Sequence, residues 1–174
     1  MINSSPAPSR KPRSAVESVL ILTAVAALLL GGAVYIIDRD WTYSLLLEPF
    51  ASYQWPRSNV FGGVGDFLPS LLHAYAISVL LIVALWPWPR KWPWVCLLWF
   101  SIASLLEWLQ CDAAGTFFVD SDKSNGVMLP LKYLERYATY GKFDYIDLLA
   151  TGVGCLTALT LSIAVMPNRQ RIYI

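Results

Sequence analysis

The 174 residues combine 56% hydrophobic side chains with only 14% charged ones and a positive mean hydropathy, whereas a soluble domain carries roughly a quarter charged residues. Water is therefore not the main solvent, and the length accommodates about four apolar crossings of about 20 residues each rather than a large soluble domain. A net charge of +1 gives no overall sign with which to attract nucleic acid or an acidic substrate, so no nucleic-acid partner is expected.

In chain order, residues 1–16 are rich in Pro, Ser, Arg and Lys. They cannot bury enough apolar surface to offset ordering entropy, and a flexible tail is expected. The first span is predicted at about 18–37. Arg10, Lys11 and Arg13 ahead of it resemble a secretory signal, but an apolar run of about 20 residues exceeds the 7–15 of a signal peptide and no small-x-small site closes it, so a retained helix is expected. Further spans are predicted at about 67–86, 94–110 and 145–166, the third being short. Pro87-Trp88-Pro89-Arg90-Lys91-Trp92-Pro93 is a tight turn, which makes the second and third helices an antiparallel hairpin with tryptophans at interfacial depth. The other two connections hold about 29 and 34 residues, including Trp41 and Trp55. A short surface helix is expected around Leu129 to Tyr140, and residues 168–174 form a short tail.

Orientation follows from the basic residues. Arg10, Lys11, Arg13, Arg90, Lys91, Arg169 and Arg171 concentrate in the two tails and the Pro-rich turn, beside the single acid Glu17. These short basic segments are expected in the cytoplasm, with both termini inside and both long loops outside. The predicted fold is thus all-α: a multi-pass bundle of four transmembrane helices occupying residues 17–167 of a cell membrane protein. Cys96, Cys111 and Cys155 lack metal or redox spacing. They are read as packing residues or, for Cys111, a free thiol, with no metal and no cofactor expected.

Four polar side chains stand out in the spans: His73, Glu107, Gln110 and Asp147. His73 lies about six residues, or roughly 9 Å, from the outer start of its helix, and Glu107 and Asp147 within about one turn of the outer ends of theirs. An ionisable group in a span usually faces the bundle interior or a watery cavity, so this shared outer level points to a site. Asp144 joins it, although a residue at a helix start also serves as a cap; Ser70 and Tyr75 are minor additions. Ser101, Ser104, Glu107 and Gln110 form one stripe on the third helix, and Asp147, Thr151, Gly154 and Ala158 a small and polar one on the fourth. The two stripes are expected to face each other.

His73-Ala74-Tyr75 on one helix, Glu107-Trp108-Leu109-Gln110 ending the next, and Phe143-Asp144-Tyr145-Ile146-Asp147 followed by Gly152 and Gly154 together resemble the VanZ-like membrane proteins. The likeness covers roughly residues 66–160. Pro69-Ser70 stand where the family has Asp-Lys, Lys142 is the nearest base where it has Arg, and the loop after Gln110 is longer. The resemblance implies a small four-helix integral membrane protein; the named member's link to teicoplanin resistance is not carried over.

The leading expectation is an accessory role in the cell envelope, in which His73, Glu107, Gln110, Asp144 and Asp147 bind a lipid or lipid-linked head group and the apolar helices take its chains. Membrane lipids are the expected partners, with a lipid-linked ligand or a partner membrane protein beside them. Two alternatives stay open: an intramembrane enzyme using His73 with Glu107 and Asp147, with or without a metal, and a structural subunit of a membrane assembly. H-E-x-x-H, a phosphate loop and a nucleophile elbow are all missing, so the reading leans away from catalysis.

Overall fold

The computed structural model describes residues 15–38, 48–53, 59–111 and 143–166. These are helical apart from turns, with no strand among them. Among the described residues four α-helices form the bundle: α1 (Ala15–Asp38), α2 (Val64–Ala84), α3 (Trp92–Trp108) and α4 (Tyr145–Val165). Short 3-10 turns span Glu48–Tyr53 and Pro89–Lys91. The tails and the surface helix expected near Leu129 lie outside the described residues.

Helices α1, α2 and α4 have 24, 21 and 21 residues and are long and apolar enough to cross a membrane. Helix α3 has 17 residues, about 26 Å at 1.5 Å per residue. Its outward side chains are as apolar as theirs: Leu98, Leu105 and Trp108 are exposed, like Leu22 and Leu29 on α1 and Leu149 on α4. A surface of this kind is unfavourable in water and ordinary in hydrocarbon.

Prolines set the α2–α3 hairpin. Residues before proline avoid the helical region, so α2 ends at Ala84 and Leu85 to Pro87 form a turn, two residues short of the expected end. Proline is tolerated in a helix's first turn, where its missing N–H has no helical partner anyway. Helix α3 accordingly starts at Trp92, with Pro93 in that turn, rather than at residue 94. Trp92 is fully buried; its indole N–H donates to the Leu85 carbonyl at 3.1 Å and its ring lies 5.0 Å from that of Trp86.

Helix α2 is the hub, packing most extensively against α4 and α1, with α3 held more lightly in the groove beside it. Helices α1 and α2 run antiparallel: Gly31 lies beside Leu72 and His73, and the Tyr75 hydroxyl donates to Thr23 Oγ1 at 2.9 Å. Helices α2 and α4 run parallel, since Ser70 meets Asp147, Gly154 meets Leu71 and Tyr75, and Ser78 meets Cys155.

This contact corrects one expectation. The small stripe of α4 faces α2, not α3: a Cβ on Gly154 would stand 2.9 Å from the Tyr75 nitrogen and 3.0 Å from Ala74 Cβ. On α3, Ser101 and Ser104 turn their hydroxyls onto the carbonyls of Leu97 and Phe100, one turn back along their own helix. Small residues permit close backbone approach, and the energy gained there is van der Waals packing. A serine satisfied by its own helix provides no such approach.

Candidate functional site

The ends of α2, α3 and α4 opposite the Pro-rich turn border a half-open cavity of about 190 Å³. Ser70, His73, Trp99, Glu107, Asp147 and Thr151 line it, with alanine and leucine between them. Three of the five site residues expected from sequence therefore border one space. Gln110 and Asp144 stand outside its wall and act on it indirectly.

Each polar group is positioned by a neighbouring helix. Ser70 donates its hydroxyl to Asp147 Oδ1 at 2.7 Å, tying the second turn of α2 to the first turn of α4. Glu107, at the end of α3, accepts the Asp144 backbone N–H on Oε1 at 2.9 Å and the Gln110 side-chain amide on Oε2 at 3.3 Å. Asp144 caps α4 by accepting the Ile146 N–H at 2.8 Å, which satisfies one of the helix's otherwise unpartnered amides. Its carboxylate serves the helix start while its amide holds Glu107.

His73 lines the cavity, and its ring tip reaches toward α1. Gly31 leaves room for it there, since a Cβ at that position would lie 3.3 Å from His73 Nε2. The imidazole thus bridges α1 and the cavity, a placement that sequence spacing could not disclose.

Trp99 was absent from the sequence-derived set. Its indole nitrogen is buried without a hydrogen-bond partner, although the ring is part of the cavity wall. A buried donor left unmade costs on the order of 1–3 kcal/mol. A tryptophan among eight in an apolar run carries no signal of this role; only the relation of α3 to α4 reveals it.

Asp38 was also missed. Its two carboxylate oxygens accept the backbone N–H groups of Val60 at 2.9 Å and Phe61 at 2.8 Å, fixing the approach to α2. Gly62 makes the turn with φ of +54°, a conformation glycine adopts without steric cost. Among the described residues, no group of three His, Cys, Asp or Glu side chains could hold a metal ion. Cys96 and Cys155 are buried packing residues.

Interhelical hydrogen bonds in membrane proteins average about 0.6 kcal/mol and reach about 1.7. For the short Ser70–Asp147 bond, a coupling of about 1 kcal/mol is expected from a double-mutant cycle of Ser70→Ala and Asp147→Ala, measured by unfolding in mixed micelles. Strict additivity of the two single changes would show that the bond does not join the helices.

Comparison with protein-family models, with curated proteins and with solved structures finds no match to this chain.

Proposed function

We propose that this chain is a VanZ-like multi-pass protein of the cell membrane whose outer polar cavity binds the head group of a lipid or lipid-linked envelope component in an accessory role. In this reading α3 is the fourth crossing, its 17 residues lying at the short end of the roughly 17–25 that span a bilayer. The basic tails and Pro-rich turn then lie in the cytoplasm and the cavity opens toward the outer face.

The observation that carries the reading is the convergence of Ser70, His73, Glu107 and Asp147 on one small space among apolar helices, with Trp99 in its wall. Binding sites commonly combine an apolar wall with a few convergent polar groups that set orientation. A liquid water occupies about 30 Å³, so about 190 Å³ suits a compact head group and not an acyl chain as well.

The test is native mass spectrometry of the protein released from lipid nanodiscs, comparing wild type with Glu107→Ala. A specific bound lipid is expected in the wild type and is expected to be depleted in the variant, with the helical circular dichroism retained. Identical lipid profiles would remove the cavity from the function.

The same convergence supports a second reading, a His73-dependent intramembrane enzyme in which Glu107 and Asp147 orient the imidazole. A histidine that shares a cavity with carboxylates can move protons near neutral pH. Chemical turnover of the retained lipid, abolished by His73→Gln, would favour it over simple binding.

A further inference from the structure

The α3–α4 seam is packed far more lightly than the α2–α4 and α1–α2 seams. At one end Trp92 anchors α3 beneath α2; at the other Glu107 holds the Asp144 amide. Between them, of all the residues of α3, Cys96 alone is buried. The gap is a cleft of about 360 Å³ with almost no polar surface, walled by Cys96, Leu97 and Phe100 on α3 and Gly152, Cys155 and Leu156 on α4.

This cleft adjoins the polar cavity. Trp99 and Ala103 of α3 and Leu148 and Thr151 of α4 line the cavity, and Phe100 and Gly152 continue the two helices into the cleft. Gly152 helps keep it open: a Cβ there would meet only Phe100, at 3.4 Å. The two spaces follow one another along the α3–α4 seam, the cavity at the end bearing Glu107 and Asp147 and the cleft toward the Pro-rich turn.

We propose that the cleft holds one hydrocarbon chain of the same amphiphile whose head group occupies the polar cavity, so that the ligand enters sideways from the bilayer between α3 and α4. The inference rests on the head-group reading above. Its occupant follows from the lining, the adjacency of the two spaces along α3 and α4, and their position. A small cavity bearing Ser70, His73, Glu107 and Asp147 lies about one helical turn from a cleft with almost no polar surface, and at mid-bilayer depth the surrounding solvent is itself hydrocarbon. A helix from a second copy is the competing occupant.

The test uses the full chain in nanodiscs of phosphatidylethanolamine and phosphatidylglycerol, doped with phosphatidylglycerol carrying a diazirine midway along one acyl chain. After irradiation, adducts are mapped by peptide mass spectrometry, and the exposed α1 residues Leu22 and Leu29 report contact with bulk lipid. Several-fold more adduct is expected on Leu97, Cys155 and Leu156 than on the α1 pair. Gly152→Leu, which fills the cleft, is expected to bring seam labelling down to the α1 level, while Gly152→Ala, with the same glycine removed but little volume added, keeps most of it. Equal labelling of seam and α1 in the wild type, or chain-to-chain adducts in place of lipid adducts, would overturn the proposal.

Native mass spectrometry of Glu107→Ala separates the two failures. Lipid lost in that variant without seam enrichment in the wild type defeats the cleft alone and leaves the head-group reading standing. Seam enrichment with an unchanged lipid profile in Glu107→Ala defeats the head-group reading, and with it the single amphiphile proposed here.

Discussion

Gly154→Ala is expected to lower the stability of the bundle by about 2 kcal/mol, within the range for adding a methylene to a packed interior. The added Cβ would meet the Leu71 carbonyl oxygen, the Tyr75 nitrogen at 2.9 Å and Ala74 Cβ at 3.0 Å. Two of these three atoms belong to the backbone of α2, so no rotamer change relieves the clash; α4 itself must move away. That motion would also pull Asp147 from Ser70, because both contacts lie on the same α2–α4 seam. Gly152→Ala is the control: its Cβ would meet a single ring carbon of Phe100 at 3.4 Å, an ordinary contact, and its expected effect is within about 0.5 kcal/mol. Unfolding of both variants in mixed micelles measures the difference. Equal stability would show that α2 and α4 do not cross closely at Gly154.

The contrast between these glycines marks where sequence reasoning reaches and where it stops. Apolar runs of bilayer length locate the helices, because hydrocarbon requires every backbone group to be satisfied within its own segment, and the prolines at 87 and 93 explain the shifts at the hairpin. A shared level was read for His73, Glu107, Gln110 and Asp147 because depth is a simple count of residues along a helix, and three of the four line the cavity while Gln110 stands outside its wall. Which helix a stripe faces is not such a count. The Asp147, Thr151, Gly154 stripe was legible as a face, yet its partner is α2, chosen by complementary shape at Ala74 and Ser78. Trp99 illustrates the same boundary, since its unpartnered N–H exists only in relation to the residues across the cavity. For Asp144, a helix-start aspartate before Tyr145 suggested a cap, and the Ile146 N–H is bonded to it.

Asp38→Ala is expected to cost about 2 kcal/mol, the low end for two hydrogen bonds to a charged group at roughly 1.5–3 kcal/mol each because the one to Val60 is solvent-exposed, less the relief of removing an anion from a helix C-terminus, roughly 0.3–1 kcal/mol. An aspartate as the last residue of α1 opposes the helix dipole, so its position requires a compensating partner. That partner is the pair of amides at Val60 and Phe61, and the carboxylate also packs so tightly on α2 that a Cβ at Gly65 would lie 2.7 Å from Oδ2. The contact sets where α2 begins, six residues before Ser70, and through it the seating of the polar cavity. Hydrogen exchange gives the local readout: the Val60 and Phe61 amides are expected to exchange faster in Asp38→Ala, with Asp38→Asn intermediate because its amide oxygen still accepts one bond. The lipid retained in native mass spectra is expected to fall in the same order, because a displaced α2 carries Ser70 and His73 with it. Faster exchange with an unchanged lipid profile would separate the latch from the site; unchanged exchange would mean that the carboxylate does not hold the turn at all.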